Sequence, residues 1–389
     1  MSLICLHKGT VYTGFAEMDD CSVLVEDGKI ADVFSEKRFA QRQFPKGTKT
    51  IDVDGAHISA GFIDTHIHGT GGFGTDDETP DAVIEMSRIL PRYGVTAFNP
   101  TLYPSERARL PGIVRRIRAG FGKESGAQIM GFHLEGPFLS ASKLGVQKPA
   151  TLSPVDLDYM AELWDAAEGN IVNMTVAPEL KNMRDLALYC VKKGIVLQAG
   201  HTDAAYENMA EGMQAGILHS THLFNAMSRM DHRNPNAVGA ILTHPEISCE
   251  IIGDGLHVHP DLFKLLLRVK PIDKITLVTD GLKPTGQEKG PFFANGEEVH
   301  LSEGLWRRIA DDVIAGSSLT MINGVKNLVD FGFSLEDALK AASSNPAAVM
   351  RFTDKGYLLP GRDADIVVFD KNFTVLLTLV QGEVKYRNL

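Results

Sequence analysis

Two histidines at the end of an apolar segment are the most chemically informative feature of the chain. His66 and His68 close the segment at residues 61–69, which reads Gly-Phe-Ile-Asp-Thr-His-Ile-His-Gly. Side chains at positions i and i+2 of an extended strand point to the same side, so both imidazoles can reach one metal ion. Neutral imidazole is the commonest metal ligand among side chains. The pair therefore predicts a metal site; the alternative interpretation is two unrelated surface histidines.

Four more polar residues stand at the ends of later apolar segments, and each carries a side chain that binds metals. They are Glu135, His201, His222 and Asp280. With His66 and His68 they supply four imidazoles and two carboxylates, a set that suits Zn²⁺, Fe²⁺, Mn²⁺ or Co²⁺ better than Ca²⁺ or Mg²⁺. A single charged residue at a strand end is usually solvated, whereas six at equivalent ends predict a shared divalent metal centre.

The other histidines have different expected roles. His257 directly follows a strand candidate within Gly-Asp-Gly-Leu-His, and we expect it to line the same pocket. His133 precedes Glu135 by two positions and therefore points to the same side, either as a neighbour of the metal ligands or as a core residue. We expect His219 to pack in or beside the strand that precedes His222, and the remaining histidines to be structural or exposed.

The elements that position these residues alternate between short apolar segments and longer helical patterns. Strand candidates begin near residues 62, 95, 129, 171, 195, 220, 247 and 275, and helical patterns include residues 82–90, 204–214, 262–267 and 335–342. Eight strands that alternate with helices predict an α/β fold in which a (β/α)8 barrel closes over about 300 residues. In such a barrel the chemistry sits at the carboxyl ends of the strands.

An open doubly wound sheet is the competing architecture. That fold usually carries a Gly-rich phosphate loop directly after its first strand. Residues 69–74 are rich in glycine but do not form a G-x-G-x-x-G that opens a helix. The least regular stretch, residues 283–315, is predicted to be an insertion.

Both ends of the chain have β character. Two apolar runs, at residues 22–25 and 29–33, flank Asp27-Gly28, which is a hairpin signal. The tail adds strand candidates at residues 365–369 and 375–377. Because neither end has enough core to stand alone, we predict one small β-sandwich domain built from residues 1–57 and 356–389, with the barrel at residues 58–355.

Composition places the chain among ordinary globular proteins. Its 389 residues are 44% hydrophobic and 23% charged, and no apolar run reaches the length needed to cross a bilayer. A net charge of −10 argues against nucleic acid as a partner, although it leaves room for an anionic small substrate. Four scattered cysteines and no signal-peptide pattern lead us to expect a cytoplasmic location.

Motifs spread along the whole chain carry a family resemblance. The segment at residues 59–69 and the closing Gly-Arg-Asp-Ala-Asp-Ile-Val-Val-Phe at residues 361–369 look like the amidohydrolase superfamily. The interior motifs lie at residues 133–138, 199–202, 221–227, 254–258, 277–280 and 316–321. In type and order they resemble the N-acetylglucosamine-6-phosphate deacetylase family.

This resemblance implies a role for each candidate ligand. Glu135, His201 and His222 would hold one ion, with Glu135 in the place that a carboxylated lysine takes in other amidohydrolases. Some family members lack the His-x-His and hold one metal, so His66 and His68 imply a second site near Asp280. Asp280 would be the general acid and base of an acetamide hydrolysis that yields acetate and an amino sugar phosphate.

The resemblance also implies substrate-binding residues. Asn225 and the backbone of Ala226 would meet the sugar phosphate, and His257 would contact the sugar or its phosphate. Arg233 matches the arginine that reaches a phosphate across a dimer interface in the family, which implies a homodimer. An arginine fork suits phosphate geometry; the alternative for Arg233 is a solvated loop residue.

One position departs from the family pattern. Where the family usually has a histidine that hydrogen-bonds the substrate carbonyl, this chain has Gln147. A glutamine amide can donate a hydrogen bond but carries no charge, and charge-assisted bonds are roughly twice as strong. Carbonyl activation is therefore expected to weaken or to shift to a second metal.

Three other functions compete with N-acetylglucosamine-6-phosphate deacetylation. The first is deacetylation of N-acetylgalactosamine-6-phosphate or another N-acetylated sugar. The second is a cyclic-amide hydrolase, which would typically bridge its metals with a lysine rather than with Glu135. The third is a non-catalytic interaction protein, which the complete ligand set and Asp280 disfavour.

Overall fold

The N-terminal segment forms five strands and one short helix. The computed structural model, which describes residues 3–287 and 289–389, places them at β1 (Leu3–Tyr12), β2 (Glu17–Glu26), β3 (Lys29–Ser35), α1 (Glu36–Phe39), β4 (Lys49–Asp52) and β5 (His57–Ala60). The predicted hairpin joins β2 to β3, with Glu26 opposite Lys29. Its two turn residues, Asp27 and Gly28, have φ of 46° and 83°, as a type I′ turn requires.

The middle of the chain alternates strands and helices. They are β6 (Phe62–Ile67), β7 (Gly69–Thr70), β8 (Phe73–Gly74), α2 (Pro80–Ile89), β9 (Val95–Leu102), α3 (Leu110–Arg118), β10 (Gln128–Ile129), β11 (Phe132–Glu135), α4 (Leu157–Ala166), β12 (Ile171–Val176), α5 (Met183–Lys193), β13 (Val196–Ala199), α6 (Tyr206–Ala215), β14 (His219–Ser220), α7 (Asn236–Thr243), β15 (Ser248–Ile252), α8 (Pro260–Val269) and β16 (Ile275–Val278). Strands occur at all eight predicted places, which supports the alternating pattern read from the sequence.

The C-terminal third contains a second small sheet, three helices and three final strands. They are β17 (Phe292–Ala294), β18 (Glu297–Ser302), β19 (Leu305–Arg308), β20 (Ile314–Ser317), α9 (Met321–Asp330), α10 (Leu335–Ala342), α11 (Ser344–Val349), β21 (Ile366–Phe369), β22 (Val375–Val380) and β23 (Glu383–Arg387). The stretch expected to be irregular, residues 283–315, therefore contains most of an ordered four-stranded antiparallel sheet. Its strands are short and separated by turns, so the sequence shows no long periodic segment there.

Eight parallel strands form the predicted barrel, and the prediction of the fold class is confirmed. Their order is β6, β9, β11, β12, β13, β14, β15 and β16, with β10 also paired to β9. The barrel closes where Ile67, at the end of β6, bridges Gly281 after β16. Two hydrogen bonds of 2.9 Å support this closure, from His68 N to Gly281 O and from Asp280 N to His66 O. Closure thus brings the first and last candidate ligands together.

The two chain ends complete one mixed sheet. Strand β5 pairs with β1 on one side and with β21 on the other, so the C-terminal strands extend the N-terminal sheet. The first half of β1 pairs instead with β4, which branches the sheet. The domain boundaries after residues 57 and 355 remain predictions, and β5 extends three residues past the first of them.

A buried cation joins the small domain to the barrel. The Lys355 side chain, 5% exposed, lies 3.0 Å from Asp363 Oδ2 and 2.7 Å from Asp365 Oδ2, and it also donates to Gln128 Oε1 at the start of β10. Burial raises the pKa of Asp365, whereas Lys29 and Lys355 hold the pKa of Asp363 below its usual value against the effect of burial. Lys355 therefore offsets buried negative charge between the domains.

We expect Lys355→Met to lower the free energy of unfolding by about 3–5 kcal/mol at pH 7, because Asp365 would be left buried without its cation. Lys29→Met is the matched control, since Lys29 also binds Asp363 but is 47% exposed, and should cost less than about 1 kcal/mol. Urea unfolding of both variants gives the comparison, and equal losses would contradict this interpretation.

No helix in the described ranges is both long enough and apolar enough to span a bilayer.

Candidate metal centre and active site

The six predicted ligands converge at the carboxyl end of the barrel. His66 lies in β6 and His68 just beyond it, while Glu135 is the last residue of β11. The other three each stand two positions after a strand, His201 after β13, His222 after β14 and Asp280 after β16. The parallel strands thus place residues that are far apart in sequence at one edge.

Their donor atoms form two groups of three. His66, His68 and Asp280 make one group, and Glu135, His201 and His222 make the other, with donor atoms within 4.8 Å of one another in each. In the second group, Glu135 Oε1 lies 3.0 Å from His201 Nε2 and 3.2 Å from His222 Nε2. In the first, Asp280 Oδ1 lies 3.5 Å from His66 Nε2 and 3.6 Å from His68 Nε2.

Glu135 lies between the two groups. Its Oε1 is also 3.7 Å from His66 Nε2, and its Oε2 is 3.4 Å from His68 Nε2. One carboxylate therefore faces all four imidazoles. This position is the one that a bridging ligand between two ions would need.

The far ring nitrogens of three histidines are held by acceptors. His68 Nδ1 donates to Thr101 O at 3.1 Å, and His201 Nδ1 donates to Lys143 O at 2.9 Å. His66 Nδ1 lies 3.0 Å from Glu250 Oε2. A carbonyl can only accept, so Nδ1 carries the proton in the first two and Nε2 is the free donor to a metal.

Three of the candidate ligands adopt a backbone conformation that non-glycine residues rarely take. The φ angles are 46° at His201, 25° at His222 and 49° at Asp280. Left-handed conformations of such residues cost roughly 1–3 kcal/mol each and cluster at functional sites. A positive φ recurs at three strand ends, which indicates that side-chain placement is favoured there over backbone relaxation.

The charges of the site favour a cation. Burial lowers the pKa of His66, but Asp280, Glu250 and Glu135 outweigh it and raise the pKa to about 10. Burial likewise raises the pKa of Glu135, yet His201, His222 and His68 hold it well below its usual range. The carboxylates that attract a proton to His66 equally attract a divalent ion. His66 Nε2 is moreover buried without a hydrogen-bond partner among the described residues, so the donor set fits a metal centre.

A cavity of about 420 Å³ opens onto this centre. Of the candidate ligands it exposes His68, Glu135, His201, His222 and Asp280, and of the predicted substrate residues it exposes Gln147, Asn225, Ala226 and His257. Its volume lies within the usual range for small-molecule sites. His257 is fixed by a 2.6 Å contact between its Nδ1 and Asp254 Oδ2.

Arg233 lies apart from the cavity of its own chain. It is exposed in the loop before α7, and its backbone N–H donates to Asp231 Oδ1 at 3.0 Å. Its role across a dimer interface therefore stays a prediction.

Gln147 faces Glu135. Its Nε2 donates to Glu135 Oε2 at 2.7 Å, while its Oε1 is buried without a partner among the described residues. The expected bond to a substrate carbonyl stays a prediction, since one of the two amide hydrogens is already directed at the carboxylate.

Among the open histidine assignments, His133 is a core residue beside the ligands. Its two ring nitrogens bind Thr101 Oγ1 at 3.1 Å and Thr175 Oγ1 at 2.8 Å, and its ring packs edge-on against His66. Burial and His66 hold its pKa well below the usual value.

Sequence reasoning missed three contributors to the site. Tyr103, the first residue after β9, stacks on His68 with ring centroids 3.8 Å apart. Residues 313–316, at the start of β20, form a cavity wall. Glu250 lies beneath His66, and a charged residue inside the apolar run of β15 was the signal that could have revealed it.

Comparison with known proteins agrees with this geometry. The amidohydrolase family model matches residues 57–385. The chain belongs to the amidohydrolase family. A curated N-acetylglucosamine-6-phosphate deacetylase from Lysinibacillus sphaericus is 31% identical over 99% of this chain and 98% of its own length. The resemblance to that deacetylase family is thereby confirmed.

Solved structures of this amidohydrolase's relatives are similar throughout. An N-acetylglucosamine-6-phosphate deacetylase from Pasteurella multocida has a TM-score of 0.92 at 28% identity and covers 99% of this chain and 100% of its own. A variant of the Mycobacterium smegmatis deacetylase, in complex with N-acetyl-D-glucosamine-6-phosphate, has a TM-score of 0.90 at 27% identity, with coverages of 99% and 100%.

We expect Glu135→Gln to weaken metal binding at both donor groups, because its two oxygens face both. The loss of affinity should exceed the 10–100-fold typical of residues that only orient a ligand. Elemental analysis after dialysis against a chelator measures it. Glu297→Gln, which removes a carboxylate paired with Lys148 at 2.8 Å, is the control and should retain full metal content. Unchanged metal content in Glu135→Gln would exclude Glu135 as a ligand.

Proposed function

We propose that this amidohydrolase cleaves the acetamide of N-acetylglucosamine-6-phosphate to acetate and the amino sugar phosphate. The observation that carries the proposal is the pair of donor groups, with Glu135 facing both, beside a cavity that Glu135 and Asp280 line. The relatives' activity and the bound sugar phosphate of the Mycobacterium smegmatis structure support the choice of substrate.

The proposed chemistry assigns Asp280 the proton transfers. A divalent ion held by the histidines and Glu135 would supply Lewis acidity to the amide carbonyl and lower the pKa of the attacking water. The Asp280 carboxylate then accepts the proton of that water and returns it to the departing nitrogen. Protonation of the amine product prevents the amide from re-forming, so the reaction runs forward.

The proposed binding mode places the sugar phosphate across the cavity from Asp280. Asn225, the backbone of Ala226 and His257 line this part of the wall. The contact of His257 Nδ1 with Asp254 Oδ2 leaves Nε2 as the ring nitrogen available to the sugar or its phosphate. Lys143 also lines the cavity, and its ammonium pairs with Asp203 Oδ1 at 3.3 Å.

We further propose two ions, drawn from Zn²⁺, Fe²⁺, Mn²⁺ or Co²⁺. The two separate groups of three donors support this number, and the mixture of nitrogen and oxygen donors supports these metals. The homodimer, with Arg233 supplied to the neighbouring cavity, is likewise a proposal. The four buried, unpaired cysteines support a reducing compartment such as the cytoplasm.

Acetate release by metal-reconstituted protein tests the function. N-acetylglucosamine-6-phosphate and N-acetylgalactosamine-6-phosphate should be compared side by side, because Gln147 leaves the sugar epimer as the open alternative. Faster turnover of N-acetylglucosamine-6-phosphate supports the proposal. Faster turnover of N-acetylgalactosamine-6-phosphate would identify the other epimer as the substrate. No turnover of either by protein with confirmed bound metal would contradict it.

We expect Asp280→Asn to reduce kcat by roughly 10²–10⁴-fold, because an amide cannot shuttle the proton. Metal bound by Glu135, His201 and His222 should remain, which elemental analysis can verify. A variant with near wild-type kcat would rule out Asp280 as the general base.

We expect Gln147→Leu to reduce kcat/KM by about 10–100-fold, because a hydrogen bond to a buried carboxylate contributes roughly 1.5–3 kcal/mol. Gln147→His, which restores a donor, should lose less. Steady-state kinetics on both variants provide the comparison, and equal losses would show that only the size of the side chain matters.

A further inference from the structure

Glu250 is a buried carboxylate that the proposed mechanism does not use. It lies in the middle of β15, between Cys249 and Ile251, and is 0% exposed. Burying an ionised carboxylate without partners is strongly unfavourable. The residues that contact the Glu250 carboxylate therefore indicate its role.

The partners of Glu250 come from three other barrel strands or their ends, namely β6, β13 and β14. Its Oε2 is 3.0 Å from His66 Nδ1, and its Oε1 accepts from Gln198 Nε2 at 2.7 Å. Longer contacts run from Thr65 Oγ1 and the His222 backbone N–H, both at 3.4 Å, and from His219 Nε2 at 3.8 Å. The two short contacts are those that fix its orientation.

The side-chain amides beneath the site all point their donors toward Glu250. Asn99 Nδ2 donates to Asn173 Oδ1 at 2.9 Å, Asn173 Nδ2 donates to Gln198 Oε1, and Gln198 Nε2 donates to Glu250. A carboxylate accepts only, so this row of amides has one consistent direction. His66 Nδ1 meets the other oxygen of the same carboxylate.

The other nitrogen of His66 faces two carboxylates. Among the described residues, His66 Nε2 is buried without a hydrogen-bond partner, 3.5 Å from Asp280 Oδ1 and 3.7 Å from Glu135 Oε1. Two carboxylates that face one imidazole nitrogen need positive charge there, which a proton or a metal ion can supply.

We propose that Glu250 is the positioning residue that makes His66 a metal ligand, by holding the Nδ1 proton so that the Nε2 lone pair faces Asp280 and Glu135. Carboxylate–histidine–metal arrangements fix both the tautomer and the ring orientation of the ligand. A glutamine in this place could instead donate to Nδ1 and stabilise the opposite tautomer.

The effect is specific to one donor group. His68 and His201 are oriented by backbone carbonyls, of Thr101 and Lys143 respectively, which no side-chain substitution removes. Loss of the Glu250 carboxylate therefore lowers the affinity for an ion at the group formed by His66, His68 and Asp280. It leaves the ion held by Glu135, His201 and His222 in place.

Metal binding by Glu250→Gln tests the proposal. Co²⁺ titration in competition with a chelator, followed by the Co²⁺ absorption bands, should show one site weakened about 10–100-fold and the other unchanged. His66→Ala should weaken the same site, and Glu250→Gln should add no further loss in the His66→Ala background. Wild-type affinity at both sites in Glu250→Gln, or additive losses in the double variant, would overturn the proposal.

Two measurements guard against a folding defect in Glu250→Gln. Glu250→Asp keeps the carboxylate and should recover part of the lost affinity, provided circular dichroism shows the native fold. In the Zn²⁺-loaded wild-type protein, nitrogen NMR should find the His66 proton on Nδ1, assigned by its loss in His66→Ala. A metal-bound or unprotonated Nδ1 would overturn the proposal. Neither readout depends on the sugar substrate, so a wrong substrate assignment would leave the test intact.

Discussion

Three carboxylates and four imidazoles are buried together at one end of the barrel, and their electrostatic balance is the constraint on which the site depends. Glu135, Glu250 and Asp280 surround His66, whose pKa they raise to about 10. Such a cluster in a low-dielectric interior needs positive charge. A proton can supply it at His66, and divalent ions can supply it across both donor groups. The same buried carboxylates and imidazoles therefore determine both the charge of the site and its capacity to bind divalent ions.

The barrel interior beneath the ligands is polar. Polar side chains replace the usual branched apolar layers beneath the ligands, and Thr65, Thr101 and Thr175 each bond a polar side chain of another barrel strand. Buried polar groups stabilise a fold only when their partners are complete, because an unmade bond in this environment is costly. The network thereby favours one arrangement of the ligand side chains over near alternatives.

Elements outside the barrel complete the cavity. The antiparallel sheet β17–β20 reaches the site through Ser317, whose backbone N–H donates to Asp280 O at 3.0 Å. Lys148, next to Gln147, pairs with Glu297 of β18 at 2.8 Å. The loop that carries Gln147 is thus tied to the sheet across the cavity. Asp280 and the residue next to Gln147 therefore both contact this antiparallel sheet.

Much of the fold and most of the candidate ligands followed from sequence. The alternation of apolar runs with helical patterns is a local property, so the eight strands and the hairpin at Asp27-Gly28 could be predicted. The ligand types and their places at strand ends were equally visible. The contacts of Gln147 with Glu135, of Tyr103 with His68 and of Glu250 with His66 could not be predicted. The first depends on the conformation of the loop after β11, and the other two join residues from different strands that meet only in the assembled barrel. The sequence determined which chemical groups stand at the strand ends, because side-chain type and period are local; tertiary structure decided which of them touch.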